Sequence, residues 1–408
     1  MDDLVYWLWL SLSLPPASPT FARLYAHTPS AKGIFDMDAD TVRRLAGTHA
    51  KDAERLLSHD LAPAEHLLAF CRRKEIGLLP YSSELYPPLL RNIDDPPVLL
   101  YYRGHMPDLS CSFPCAVVGM RRMTEYGRRS AFHISLDLAR AGATLVSGMA
   151  RGIDGVSLAA ACAVGRPSVA VFGCGIDICY PKEHLTLARE IVKYGAIVTE
   201  YPPGTPAYSF HFPQRNRIIS GMCAAVAVIE GREGSGSLIT ARCATAQGRT
   251  VYAMPGNIDA ETSEGTSLLL KNGARVLTAA DDILREFEFV YTGILNPYLL
   301  NEPVSVRMED VLRRLDVGQK RRRTDRSSEP PEGEPKIPPV AEGVSEQTLA
   351  AMTEAQRRLY ERIPTDDSCD VEELCETGLS MPVVMRELLA LELLRCIEML
   401  PGERVKRT

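Results

Sequence analysis

The sequence has no basic excess, no long apolar run, no paired-cysteine motif and none of the common nucleotide fingerprints. Lys and Arg number 46 against 52 Asp and Glu, a net charge of −6 over 408 residues. Such a balance excludes a uniformly cationic nucleic-acid coat. The longest apolar patch, YWLWLSLSL near the N-terminus, is too short to span a bilayer. It follows Asp2-Asp3, where a signal peptide needs a basic flank, so it reads as a buried helix in a cytoplasmic protein with no membrane contact. Eleven cysteines are scattered without a CxxC pair, and Cys111-x3-Cys115 and Cys174-x4-Cys179 have no His partners at ligand spacing. Reduced thiols are expected, with no metal and no cofactor. No G-x-G-x-x-G follows the first core strand, and no G-x-x-x-x-G-K-[ST] occurs anywhere. Both absences argue against a dehydrogenase or a Walker-type ATPase.

What is present is unevenly distributed. Residues 1–112 carry 11 basic and 14 acidic side chains, residues 113–286 carry 18 and 15, and residues 287–408 carry 17 and 23. Only the middle is net basic, and a local patch rather than the global sum sets affinity for phosphates. Residues 1–75 read as short helices, a small helical domain. Residues 76–112, LLPYSSELYPPLLRNIDDPPVLLYYRG at their centre, hold too many prolines for long helices and form an extended connector. Residues 113–300 alternate apolar strand-like runs with helical patterns. That predicts an α/β fold, an extended Rossmann-like, mostly parallel sheet with helices on both faces. Residues 301–348 combine an amphipathic run with a charged, Pro-rich flexible linker.

Ligands of such sheets bind beyond the carboxyl ends of the strands. The stretch Thr144–Asp154, TLVSGMARGID, is a strand, a glycine turn and a helix start. A helix N-terminus suits an anionic group, and Arg151 adds a planar fork of donors at the same point. Other turns supply Gly119-Met120-Arg121-Arg122, Gly173-Cys174-Gly175, Arg215-Asn216-Arg217 and Gly234-Ser235-Gly236-Ser237. Small residues and arginines converge on one rim, a phosphate-binding edge. Asp154 and Glu200 are the acids expected near it, as structural salt bridges, one of them burying an arginine of the Arg215–Arg217 run. His211, between Phe210 and Phe212, is expected to pack. Phe210, Phe212 and Tyr180 are candidate base-stacking residues, each more readily core.

The ordered motifs YPPLLRNIDDPPVLLYYRG, AVVGMRRMTEYG, LVSGMARGID, CGIDICYP, FPQRNRIISG, VIEGREGSGSLITARCA, GRTVYAMPG and EGTSLLLKNGA resemble the DNA-processing protein A (DprA/Smf) family. The resemblance covers about 200 residues. It implies a non-enzymatic protein that binds single-stranded DNA, forms a homodimer and loads the RecA recombinase in natural transformation. It implies DNA contacts at Gly119, Arg121, Ser147, Gly148, Arg151, Gly152, Arg215, Asn216, Arg217, Ser235, Gly236 and Ser237. It also makes the N-terminal helices a helix-hairpin-helix or SAM-like domain. Met120 stands where the family usually has Ser or Thr, and Ser157-Leu158 where it usually has Ala-His. The alternative is a nucleotide-binding enzyme such as a nucleoside-phosphate hydrolase, with Asp154 or Glu200 as acid/base.

Residues 349–408 resemble a winged-helix domain. Helices are expected from Thr353 to Arg362, over Asp370–Cys375 and over Ser380–Leu393, with wing strands Cys396–Leu400 and Arg404–Lys406. The third helix carries one arginine and two glutamates, which suits a protein-contact or regulatory module better than a sequence reader.

Overall fold

The computed structural model describes residues 3–318 and 352–364, and beyond these 369–370, 374, 384, 387–388, 391, 396–400 and 404–407. The chain divides into two compact units, Met1–Arg322 and Arg323–Thr408.

The first unit is built on nine strands: β1 (Gly77–Pro80), β2 (Leu99–Gly104), β3 (Phe113–Val118), β4 (Ala143–Ser147), β5 (Ser168–Val171), β6 (Ala196–Thr199), β7 (Ala225–Val228), β8 (Thr250–Ala253) and β9 (Arg275–Val276). Their order is β1-β2-β6-β5-β4-β3-β7-β8-β9. From β6 to β9 every pairing is parallel, while β1 and β2 join antiparallel at one edge. The parallel strands are apolar on both faces because helices cover both. Alternate residues feed two cores. Cys115, Val117, Leu145, Ala225 and Ala227 enter one, and Ala116, Val118, Val146, Val226 and Val228 enter the other.

Six helices precede the sheet: α1 (Asp3–Ser13), α2 (Thr20–His27), α3 (Ala31–Phe35), α4 (Ala39–Ala46), α5 (Ala50–Leu56) and α6 (Ala62–Arg73). The apolar patch forms α1, whose Trp7, Leu8, Trp9 and Leu10 are buried in the same core as Tyr101 and Phe113 of the sheet. The Pro-rich segment supplies β1 and β2, with the short α7 (Pro88–Arg91) between them. Around the sheet lie α8 (Glu125–Arg140), α9 (Ile153–Ala163), α10 (Leu185–Tyr194), α11 (His211–Gly221), α12 (Gly236–Ala246), α13 (Glu261–Lys271), α14 (Asp281–Phe287) and α15 (Met308–Arg314). The sequence pattern shows α8 to α12 and not α13, where one apolar run, Leu268–Leu270, is only partly buried.

In the second unit Thr353 and Gln356 form a reciprocal capping box on α16 (Glu354–Arg362). Three short strands, β10 (Cys369–Asp370), β11 (Ile397–Leu400) and β12 (Arg404–Arg407), pair antiparallel in the order β10-β12-β11. Asp370 is therefore a strand residue, not the start of a helix; most of the expected second helix lies outside the described residues. In the expected third helix Val384, Leu388 and Leu391 are helical and buried at i, i+4 and i+7, and its other residues, Glu387 apart, lie outside the described ones.

Candidate nucleic-acid interface

From β3 the chain steps outward through β4, β5 and β6, then returns to place β7 on the other side of β3. The carboxyl ends of β3 and β7 therefore flank a topological switch point, where α/β sheets open a crevice. A half-open cleft of about 540 Å3 lies there. Its lining includes Gly119, Arg121, Arg122, Arg215, Asn216, Ser235, Gly236 and Ser237, with Phe212 and Asp154. The structure thus brings together seven of the twelve expected contact residues: Gly119, Arg121, Arg215, Asn216, Ser235, Gly236 and Ser237.

Three strand-to-helix turns face this cleft, and they differ in charge. At the β4–α9 turn the buried Asp154 carboxylate accepts the Gly148 amide at 3.1 Å; burial pushes its carboxyl up, opposed by the Arg215 charge. Gly152 has φ +80° under the Met120 carbonyl, where a Cβ would collide, and the Ile153 amide donates to that carbonyl at 3.2 Å. The α9 N-terminus is thus satisfied from within. Ser147 is fully buried, and its Oγ donates to the Val117 carbonyl at 2.7 Å. Ser147 and Gly152 accordingly build the floor, while Gly148 and Ala150 of the same turn line the narrow recess beside the cleft, with Arg121 and Arg151. Met149 sits at φ +52°, a left-handed conformation costly for a side-chain-bearing residue, and its carbonyl takes the His184 Nδ1 at 3.0 Å.

At the β3–α8 turn the buried Glu230 carboxylate occupies the helix start. It accepts the Thr124 amide at 3.0 Å and the Thr124 hydroxyl, while Thr124 Oγ1 caps the Gly127 amide at 3.0 Å. Glu230 is an acid the sequence reading missed. It ends the apolar run of β7, and a lone acid closing a buried strand was the available signal.

The β7–α12 turn is different. Ser235 is the N-cap residue, yet its side chain caps no amide; its Oγ lies 2.9 Å from Ser237 Oγ. The first turn of α12 contains no acid, and nothing lies within 4 Å of the position a Gly236 Cβ would take. Two hydroxyls and a helix start with no acid in its own first turn therefore line the cleft, with the exposed Glu233 two residues before the cap.

The arginines divide by role. Arg215 is buried, donating to the carbonyls of Gly148, at 2.9 Å, and Val171. Burial pushes its guanidinium down to about 10, so it stays cationic at neutral pH, supported by the Asp154 charge. A Cβ on Gly148 would come within 2.6 Å of Arg215 Nη1, which fixes glycine there. Arg121 is exposed over the Phe212 ring at 5.5 Å, and among the described residues no carboxylate pairs with it. Asn216 Nδ2 donates to the Gly236 carbonyl at 3.1 Å, tying α11 to α12. Arg217 turns away from the cleft. Its Nη2 donates to both Glu200 oxygens, at 2.8 and 2.6 Å, and its Nε lies 3.3 Å from Asp95 Oδ2. Arg217 is the structural arginine of the run. Arg151 lies at the rim, 60% exposed and paired with Glu183, in a narrow recess shared with Arg121, Tyr180 and Phe212.

Of the aromatic residues expected to pack, one does and two do not. His211 packs, with Nδ1 3.2 Å from the Gly173 carbonyl and its ring 4.0 Å from that of Tyr201. Phe210 and Tyr180 do not; they are 46% and 39% exposed.

The profile of the family described as DNA recombination-mediator protein A matches residues 77–288, from the first residue of β1 to just past α14. The chain belongs to this family. Among DprA/Smf relatives, Protein Smf of Escherichia coli is 41% identical over 249 residues, covering 61% of this chain and 66% of that protein, just under two thirds of its length. DNA processing protein DprA of Bacillus subtilis is 40% identical over 220 residues, covering 54% and 74%. The crystal structure of DprA from Streptococcus pneumoniae superimposes with a TM-score of 0.62 at 32% identity, covering 71% of this chain and all of that one. The DprA/Smf sheet is thus the part of the chain that carries the cleft.

Proposed function

We propose that this DprA/Smf protein is a recombination mediator that binds single-stranded DNA in the cleft between β3 and β7 by capture, without chemistry. One observation carries the reading. Asp154 and Glu230 are folded onto the β4–α9 turn and the start of α8, whereas α12 has no acid in its first turn and lines the cleft together with Arg121, which pairs with no carboxylate among the described residues. A phosphate completes that arrangement. Arg122 adds a second exposed cation, and Arg151 becomes available once Glu183 gives way. Natural transformation, a homodimer and loading of RecA belong to the same reading and follow from the family resemblance of the ordered motifs.

The enzyme alternative needs a free carboxylate. Glu200 is committed to Arg217, and Asp154 accepts the Gly148 amide. Glu200 lies off the cleft, so the alternative rests on Asp154 alone, a buried carboxylate in the cleft lining whose charge is set against Arg215. Equilibrium binding of a labelled dT oligonucleotide, with duplex and mononucleotides as competitors, tests the proposal. Displacement by single strands and not by duplex or mononucleotides is expected. Tight binding of a mononucleotide with turnover would replace the proposal with the enzyme.

A further inference from the structure

Beside the cleft, the segment between β6 and α11 carries an exposed pair of rings. Tyr208 and Phe210 are 50% and 46% exposed, with ring centroids 5.5 Å apart and planes within 7° of parallel. They are held in place. The buried His211 ring meets Tyr208 at 5.4 Å and 75°, meets Phe210 at 4.5 Å and 73°, and itself stacks on the buried Tyr201. Ser209, between the two rings, lines the cleft with Arg121 and Phe212. No charged residue occurs from Tyr201 to Gln214.

An exposed aromatic pair costs solvation unless something covers it. Its occupant must reach the rings while its neighbouring atoms enter a cationic cleft. Nucleobases attached to a phosphodiester chain meet both conditions, because every base has a π-face and the linking phosphates suit the cleft. We infer that Tyr208 and Phe210 form a stacking platform for the unpaired bases flanking the phosphate held at Arg121 and the α12 turn. This rests on the polynucleotide reading of the cleft and adds the feature that rejects duplex. Paired bases are already stacked on one another and offer no face to the platform. Because the segment is uncharged, its contribution is independent of salt, unlike that of Arg121.

The test compares the native protein with the double variant Tyr208→Ala/Phe210→Ala. Each is titrated with a dT oligonucleotide and with an abasic oligonucleotide of equal length, across a salt series. Stacking alters affinity by about five- to a hundredfold per base. The expected result is that native protein prefers dT to the abasic strand by at least about fivefold. The double variant should lose that preference while keeping its salt slope, and Tyr208→Trp should restore it. Both side chains are exposed, and an unchanged thermal transition confirms that the variant folds. Equal affinity of native and double variant for dT, or a slope lowered by a full phosphate, would overturn the platform and leave the cleft standing. Failure of the native protein to bind either strand would overturn the cleft, and the platform with it.

Discussion

Replacing Arg217 with methionine separates a structural arginine from a ligand-binding one. The side chain is 7% exposed and sits against Glu200, itself 10% exposed, through two hydrogen bonds of 2.8 and 2.6 Å. Burial already pushes the Glu200 carboxyl up, with the Arg217 charge opposing that push. Arg217→Met removes the compensating cation and leaves a buried carboxylate facing a thioether. Breaking one side of a buried pair costs about 3–5 kcal/mol. At about 2–4 °C per kcal/mol for chains somewhat smaller than this unit, Tm should fall on the order of 10 °C. Glu200→Gln added to Arg217→Met should recover part of the loss, because the more deeply buried orphaned charge is gone while Asp95 still lacks its partner. Thermal unfolding of the four members of this cycle measures the coupling. Binding of dT by the folded single variant should stay within about twofold of native, since Arg217 is not on the cleft. A Tm unchanged within about 1 °C, with DNA affinity down tenfold, would refute the reasoning and return Arg217 to the clamp.

Other substitutions test the floor of the cleft. Gly152→Ala meets both a φ of +80° and the Met120 carbonyl, so it should destabilise by more than about 1 kcal/mol in urea unfolding. Ser147→Ala should cost about 1 kcal/mol through the lost bond to Val117 and leave dT affinity unchanged, whereas a phosphate-facing serine would show the reverse. His184 is buried with its Nδ1 donating to Met149, and burial holds its ring below the usual imidazole value. The unfolded chain therefore binds a proton first as pH falls below about 6.5, and stability declines toward acid. His184→Asn should flatten that decline in unfolding measurements between pH 7 and 5; an unaltered slope would contradict it.

Much of the sheet was legible because its strands are buried on both faces and read as short apolar runs between glycine turns. β1 and β2 were less so, since the prolines around them read as an extended connector, yet both join the sheet antiparallel at its edge. The site was legible in outline, because glycine turns and arginines cluster at the strand ends. The division of labour was not. Whether a helix start is free depends on which carboxylate, distant in sequence, folds onto it. Glu230 reaches Thr124 from 106 positions away, and nothing local to either residue announces the pair. The same holds for Arg215 and Arg217. Two residues apart on α11, they point into different surroundings, and only the positions of Gly148 and Glu200 decide which lines the cleft.

The most direct test is the salt dependence of dT binding by native protein and by Arg121→Ala. The account predicts a steep loss of affinity with salt for the native protein. Arg121→Ala should bind more weakly, with a slope reduced by about 0.7, one phosphate's worth on a single strand, and with an unchanged Tm. Identical slopes and affinities for the two proteins would contradict the claim that the α12 turn and Arg121 hold the DNA backbone.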